Sequence, residues 1–214
     1  MKKSIMFTLG LAALFCAACV DNSTNGSGGG EVDALLEKYN NPNGGSRGGG
    51  SACKANFKSK QIGTQTWMTE NLNCDAAGGV CYDNDPTNCT KYGRLYTWEE
   101  AISACPAGWH LPDSAEWETL VGFAGYSYTK LKAGSGWYDN GNGTDDYEFA
   151  ALPGGRGGGG DFSDAGLKGY WWSATEDDAW NALYRYMYYN DFPDPPTRIP
   201  GIKYSQFSVR CVQD

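Results

Sequence analysis

The segment from Tyr92 to Leu120, YGRLYTWEEAISACPAGWHLPDSAEWETL, constrains the fold of this 214-residue chain more than any other. It contains two helix start signals in quick succession. Thr97 is followed three residues later by Glu100, and Asp113 is followed three residues later by Glu116. This is the capping-box spacing, in which the cap side chain and the acidic side chain each bond the other's backbone N–H. The sequence therefore predicts two helices close together.

Each predicted helix carries an apolar stripe that we expect to face the core. Pro106 and Gly108 are expected to end the first helix, and Gly122 or Gly125 the second. The apolar positions at helical spacing are Trp98, Ala101, Ile102 and Cys105 in the first helix and Trp117, Leu120 and Val121 in the second.

Strand signals lie on both sides of this helical segment. Upstream, Ile62 and Gln65 flank Gly63-Thr64, which predicts a hairpin with a two-residue type II′ turn. Beyond residue 126 the chain alternates between Gly-rich loops and short apolar segments. Two early helices and late strands predict an α+β domain with small antiparallel sheets and long Gly-rich loops. The late strands are predicted over residues 147–152, 170–174, 183–189 and 207–212.

The N-terminus has the features of an export signal. Lys2 and Lys3 precede an apolar run from Ile5 to Phe15, which is too short to span a bilayer. Small residues directly before Cys19 resemble the bacterial lipoprotein cleavage signal, in which the cysteine is acylated. We therefore expect a signal peptide over residues 1–18 and lipidation at Cys19. A plain secretory peptide is the alternative.

The rest of the N-terminal part reads as a tether. Residues 19–52 are dominated by Asn, Ser and Gly, a composition that buries too little surface to fold. The folded domain is predicted over residues 53–214. Val20 follows Cys19 in place of the aspartate that favours retention at the inner membrane in lipoproteins. We expect an exported lipoprotein of the outer membrane or cell surface, with the membrane as a partner through its lipid.

The charge of the chain argues against a nucleic-acid partner. The net charge is −8, and removal of residues 1–18 leaves 15 basic against 25 acidic side chains, a charge of −10. A surface of this sign repels the phosphate backbone of nucleic acids.

Six cysteines in the predicted domain indicate a disulfide framework, because an even number of cysteines follows an export signal. Fifteen pairings are open to six cysteines. We expect Cys81–Cys89 and Cys105–Cys211, which leaves Cys53–Cys74. A zinc site is the competing interpretation, but the domain has no CxxC pair and His110 is its single histidine.

A tyrosine-rich strand is the first candidate for ligand binding. Tyr184, Tyr186 and Tyr188 alternate with Leu183, Arg185 and Met187, so the tyrosines share one face. Aromatic rings with polar edges suit stacking on sugars, and they are also common at protein interfaces. The competing interpretation is that this face packs in the core. The predicted binding face consists of Trp137, Trp171, Trp172, Trp180, Tyr184, Tyr186 and Tyr188.

The loop DNGNGTDDYE is the second candidate. Asp139, Asn142, Asp145 and Asp146 offer the oxygen ligands that calcium prefers, and structural calcium is the one cofactor we predict. Their spacing differs from an EF-hand, and Asn, Asp and Gly are also ordinary turn residues.

The sequence predicts no catalytic residue. His110 lies between Trp109 and Leu111, which favours a packed structural histidine. The carboxylates Glu99, Glu116, Asp161 and Glu176 show no spacing that pairs two of them as a glycosidase requires. Gly154–Gly160 has glycine spacing like that of a nucleotide loop but lacks the strand–turn–helix context, so a plain loop is expected.

Six blocks of the chain resemble, in order, the Fibrobacter succinogenes major paralogous domain. The resemblance begins near Phe57 and implies a C-type-lectin-like fold related to formylglycine-generating enzymes. It also implies an exported, often lipid-anchored surface protein, with no settled biochemical activity. The blocks are WMTENLN, CYDNDPTNCTKYGRLYTWEEA, CPAGWHLPDSAEWETL, FAALPGGR, GYWWSATE and SVRCVQD.

The related families allow two tests of activity. Formylglycine-generating enzymes hold copper with two cysteines near the C-terminus. Cys211 matches the later one, but Gln206 occupies the earlier position. Sugar-binding C-type lectins hold calcium through Trp-Asn-Asp and a proline-containing tripeptide, whereas here Trp180-Asn181 is followed by Ala182. Both chemistries are therefore disfavoured.

We predict a lipid-anchored surface module for adhesion or recognition, with a polysaccharide or another surface protein as its ligand and no catalytic activity. The alternatives are an enzyme of the formylglycine-generating type and a structural envelope protein without a ligand of its own.

Overall fold

The computed structural model describes residue 53, residues 57–190 and residues 199–214. All of them belong to one unit that spans Gly48–Asp214. The predictions for the signal peptide, for Cys19 and for the whole tether lie outside the described residues. Within the described part, no helix has the length and apolar character needed to cross a membrane.

The described residues form three α-helices and eleven short strands, with single 3-10 turns between them. The helices are α1 (Pro86–Tyr92), α2 (Trp98–Ile102) and α3 (Ser114–Phe123). The first six strands are β1 (Ser59–Ile62), β2 (Gln65–Met68), β3 (Leu95–Tyr96), β4 (Trp109–His110), β5 (Arg156–Gly158) and β6 (Asp161–Ser163). The last five are β7 (Lys168–Glu176), β8 (Asn181–Tyr188), β9 (Ile199–Ile202), β10 (Phe207–Ser208) and β11 (Val212–Gln213).

These strands build three small sheets. One sheet has the order β1-β2-β11-β4, a second has the order β3-β10-β7-β8-β9, and β5 pairs with β6 alone. Neighbouring strands are antiparallel except β10 and β7, which run parallel. The prediction of an α+β domain with small sheets is confirmed, with this one parallel pair as a departure.

The predicted helix starts are confirmed. Thr97 and Glu100 form a complete capping box at α2, and Asp113 and Glu116 form one at α3. The predicted end of the first helix is wrong, because α2 stops at Ile102 and leaves that side chain 45% exposed.

Helix α1 was not predicted, although its start signal is present in the sequence. The Asp85 side chain accepts a hydrogen bond from the backbone N–H of Thr87 at 2.9 Å, and Pro86 occupies the first turn. Asp before Pro is a recognised helix start, since proline needs no N–H partner there. The helix ends at Gly93, which has a positive φ of 77°.

Of the four late strands that were predicted, the two middle ones are confirmed and the first and the last are wrong. The predicted hairpin of β1 and β2 is confirmed, with Ile62 opposite Gln65. Strands β7 and β8 are confirmed as well. Residues 147–152 form no strand, because Glu148 and Ala150 have positive φ values of 58° and 52°. Residues 207–212 divide into β10 and the start of β11, which belong to different sheets. The Gly154–Gly160 segment contributes β5 to a hairpin rather than forming a plain loop.

The three expected disulfides are present. Cys53–Cys74, Cys81–Cys89 and Cys105–Cys211 close loops with sequence separations of 21, 8 and 106 residues. The longest bridge joins the segment after α2 to the residue before β11. The predicted disulfide framework is therefore confirmed.

The core divides into two clusters on the two faces of β7. Adjacent residues of a strand point to opposite faces, so Trp171 packs in one cluster and Trp172 in the other. Trp171 lies with Trp67, Trp117 and Phe149 from the hairpin, α3 and the segment after α3. Strand β7 is thus the central wall of the domain.

Candidate functional site

Strand β8 presents a row of tyrosines to the surface. Tyr184, Tyr186 and Tyr188 are partly exposed, while Leu183, Arg185 and Met187 between them are buried. This alternation confirms the two faces predicted from the sequence. We call the partly exposed Tyr184, Tyr186 and Tyr188, together with the neighbouring Tyr170, which is buried at 5% exposure, the tyrosine face.

The rings of the tyrosine face are continuous with the core. Tyr170 of β7 pairs with Tyr186 of β8, and its ring centroid lies 5.9 Å from that of Tyr184 and 6.0 Å from that of Tyr186. On its inner side Tyr170 stacks on Phe207, with centroids 5.2 Å apart and planes inclined by 16°. The packed rings fix the orientation of the exposed ones, so the face is preorganised.

Polar groups from β5 and the turn after β6 lie at the edge of these rings. The hydroxyl of Tyr170 donates to the Asp164 carboxylate at 2.6 Å, and the Arg156 Nε lies 3.3 Å from the same oxygen. Asp164 has a positive φ of 70°. Burial and the hydrogen bond to Asp164 both raise the pKa of Tyr170, so its hydroxyl stays protonated.

Strand β9 borders the tyrosine face with a glycine. A Cβ at Gly201 would lie 2.8 Å from the Tyr184 Cδ1, which is closer than side chains tolerate. The ring of Tyr184 therefore packs closely against β9 at Gly201. Burial raises the pKa of Tyr184 as well, so this phenol also stays neutral at physiological pH.

Three tryptophans predicted for the binding face lie in the core instead. Trp137 is 5% exposed, and Trp171 and Trp172 are 0% exposed. Their indole N–H groups donate to the Ala151 carbonyl, the Asn71 side chain and the Tyr96 carbonyl, respectively. Since both the rings and their polar atoms are occupied inside the protein, we remove these three from the candidate surface.

Trp180 is exposed but does not belong to the tyrosine face. It is 70% exposed in the turn between β7 and β8, close to Ile202 at 59% and Tyr204 at 71%. The backbone N–H of Lys203 donates to the Trp180 carbonyl at 3.0 Å, which holds these residues together. We call Trp180, Ile202 and Tyr204 the Trp180 patch.

Comparison with known families identifies the domain that carries this surface. The model of the Fibrobacter succinogenes major domain matches residues 61–213, more than two thirds of the chain. The chain belongs to this family. A search of curated proteins and a search of solved structures each gave no match.

The sequence blocks typical of the Fibrobacter succinogenes major domain converge on a buried polar centre. The Asn71 Oδ1 accepts hydrogen bonds from Trp171 Nε1 at 2.9 Å and from Arg210 Nη2 at 2.8 Å. The Asn71 Nδ2 donates to the Tyr92 carbonyl at 2.8 Å. Arg210 is 0% exposed, and burial lowers the pKa of its guanidinium to about 9, so it remains charged at neutral pH. These residues hold the scaffold together.

His110 of the major domain is a connector rather than a packed core residue. Its Nδ1 lies 2.7 Å from the Asp214 carboxylate and its Nε2 lies 2.9 Å from the Glu116 carboxylate. Glu116 also accepts from the backbone N–H of Asp113 in the α3 capping box. His110 therefore links β4 to the residue after β11 and to the start of α3.

The four residues predicted for calcium lie in a loop, and two of them, Asp145 and Asn142, bond to the backbone there. The Asp145 Oδ1 accepts from the backbone N–H of Ala150 at 2.7 Å, and burial raises the pKa of this carboxyl. The Asn142 Oδ1 accepts from the Trp137 N–H at 3.0 Å. Asp139 and Asp146 are exposed. Among the described residues, no three or more His, Cys, Asp or Glu side chains group around a point suited to a metal. Calcium stays a prediction.

Sequence reasoning missed a cleft with a volume of about 710 Å³. It lies between the Cys53–Cys74 bridge and α1, with Glu70, Lys91 and Leu152 in its lining. The Asn71 side chain at its floor is fully engaged in the polar centre. No local sequence signal announces this cleft, because it forms where distant segments meet.

Proposed function

We propose that this protein is a recognition module that binds a saccharide at the tyrosine face. The observation that supports the proposal is the row of fixed, partly exposed tyrosine rings with Arg156 and Asp164 at their edge. Tyrosine rings can stack on the apolar faces of pyranoses, and their hydroxyls and the charged pair can bond sugar hydroxyls. The arrangement of rings and charges on the tyrosine face suits binding of a saccharide without catalysis.

An enzyme of the formylglycine-generating type finds less support. Its copper would need a free pair of thiolates, and Cys211 forms a disulfide with Cys105 and is 0% exposed. Gln206 occupies the position of the earlier of the two cysteines. Recognition is therefore the function that we propose.

The setting of the module is proposed from the sequence. We propose a C-type-lectin-like fold for the domain, supported by the two capped helices and by the bridge from the segment after α2 to the end of the chain. We also propose that lipidated Cys19 anchors the protein at the outer membrane or cell surface, with residues 19–52 as its tether. Mass spectrometry of the membrane fraction tests the anchor, because a Cys19→Ala variant should lose the lipid.

The test of saccharide binding compares retention on a panel of neutral and acidic polysaccharides. Tyr186→Ala removes the central ring of the tyrosine face and should weaken retention about tenfold, because ring stacking contributes roughly 1 kcal/mol or more. Tyr204→Ala is the matched control, since that tyrosine is exposed outside the face. Retention on no polysaccharide, or equal loss in both variants, would contradict the proposal.

A protein ligand is the second candidate, and the Trp180 patch favours it. An exposed tryptophan beside an exposed isoleucine and tyrosine is typical of protein interfaces. If Trp180→Ala abolishes attachment to whole cells while Tyr186→Ala does not, the ligand is a protein bound at this patch and the saccharide proposal is wrong.

A further inference from the structure

Two cationic side chains border the tyrosine face. The guanidinium carbon of Arg156 lies 5.8 Å from the Tyr170 ring centroid, and the Lys168 Nζ lies 5.3 Å from the Tyr188 ring centroid. Lys168 pairs across the sheet with Tyr188, two residues along β7 from Tyr170. Because alternate residues of a strand share a face, both charges lie on the tyrosine side of the sheet.

Both cations retain hydrogen-bonding capacity. Arg156 uses its Nε to contact Ser163 at 3.1 Å and Asp164 at 3.3 Å, while its side chain is 52% exposed. Within the described residues its two terminal amino groups have no hydrogen-bond partner, and Lys168 has no carboxylate partner. Four other cations of the described residues form ion pairs: Lys60 with Glu148, Arg94 with Asp75, Arg185 with Glu118 and Lys203 with Glu176.

The contacts at Nε orient the rest of the guanidinium. Ser163 and Asp164 hold one edge of Arg156, so the terminal amino groups form an open fork beside Tyr170. Such a fork matches the two oxygens of a carboxylate in a bidentate pair. A neutral sugar would leave the terminal amino groups of Arg156 without a carboxylate acceptor and Lys168 without a counter-charge.

We propose that the ligand of the tyrosine face is an acidic saccharide whose carboxylate binds Arg156, with Lys168 as a second cationic contact. The inference rests on the proposed saccharide-binding function and narrows its ligand class. The net charge of the chain is −8, so general attraction cannot draw an anionic polymer to this protein. Binding must then depend on these two local cations.

Homogalacturonan and polyglucuronate supply matched probes, since each exists as a free acid and as a neutral methyl ester. The free acids should bind, and the esters should bind about tenfold more weakly or worse, because a charge-assisted hydrogen bond is lost. Arg156→Gln should weaken binding of the acids by about the same factor and should weaken binding of the esters clearly less, because a neutral sugar loses only an uncharged hydrogen-bond partner. Lys168→Gln should have the same effect to a smaller degree.

Lys91→Gln is the control for loss of one positive charge. Lys91 also lies over a tyrosine ring, with its Nζ 4.6 Å from the Tyr92 centroid, but it belongs to α1 and not to the tyrosine face. Thermal melts of all variants verify that the fold is intact.

The outcomes separate this inference from the proposed function. If acids and esters bind equally, the saccharide proposal stands and the inference is wrong. If Lys91→Gln weakens binding as much as Arg156→Gln, the attraction is unspecific and the inference is wrong. If neither acid binds, the inference fails whatever neutral glycans do, and the proposed function fails only if the neutral panel fails too.

Discussion

At the scale of single residues, the domain depends on buried polar side chains that bond to one another and to the backbone. Arg210 donates to the Asn71 side chain and to the carbonyls of Met68 and Phe149. Within the described residues no carboxylate bonds Arg210 directly, and the nearby charges of Asp145 and Glu70 favour its charged form. Removal of such a cation leaves several acceptors without donors inside the protein.

Arg210→Met should therefore lower the free energy of unfolding by about 3 to 5 kcal/mol, the cost of breaking a buried charged network. Lys60→Gln is the control, because Lys60 and Glu148 form an exposed salt bridge, which contributes about 1 kcal/mol or less. Urea unfolding measures both. A loss below about 1 kcal/mol for Arg210→Met would show that the buried polar centre around Asn71 and Arg210 contributes little to the stability of the fold.

His110 should make stability depend on pH. Partial burial lowers the pKa of His110, but the hydrogen bonds to Asp214 and Glu116 outweigh it and raise the pKa above its ordinary value. The stabilisation is then complete below the unfolded pKa of about 6.5 and is lost as pH rises through the higher folded value. His110→Gln should cost stability at about pH 5 and nothing at about pH 9. A cost independent of pH would refute this assignment.

At the scale of elements, helix starts set the local structure. Asp113 Oδ1 accepts from the backbone N–H groups of Ala115 and Glu116, both at 2.8 Å. Asp113→Ala should cost about 1 kcal/mol of unfolding free energy, whereas Asp113→Asn keeps the acceptor and should cost a few tenths of that at most. Denaturant unfolding of the Asp113→Ala and Asp113→Asn variants measures the two losses of unfolding free energy. Equal losses would mean that the charge matters and the cap does not.

The sequence predicts those elements whose signals are local. Capping boxes, the hairpin of β1 and β2 and the alternation of β8 depend on residues within a few positions of each other, and all were predicted. The Asp85-Pro86 start of α1 was equally local and was overlooked. Residues 147–152 look like a strand by composition, but Glu148 and Ala150 have positive φ values, and the backbone N–H groups of both donate to Asp145.

The candidate site shows the same division. The shared face of Tyr184, Tyr186 and Tyr188 follows from strand periodicity alone. That Trp171 and Trp172 are both buried follows from β7 having a core cluster on each face, which no local pattern reveals. Arg156 and Asp164 reach Tyr170 only because the β5–β6 hairpin folds beside β10.

At the scale of the whole molecule, the disulfides differ in what they restrain. The bridge Cys105–Cys211 spans 106 residues and Cys81–Cys89 spans 8. In the loop-entropy model their loss costs roughly 4.8 and roughly 2.6 kcal/mol, respectively. The double alanine variant of the long bridge should therefore unfold at clearly lower urea concentration than that of the short bridge. The reverse order would argue that native packing, and not chain entropy, sets their contributions.

The placement of the last residues has a consequence for how the molecule is made. Strand β10 completes one sheet, β11 completes the other, and Arg210 and Cys211 between them supply the polar centre and the long bridge. A chain emerging from its N-terminus lacks all four connections until residues 207–213 appear. Pairing across such sequence distances is slow. Synthesis and any passage through a channel can thus finish before the domain folds completely. The chain stays able to pass through a channel until residues 207–213 are available.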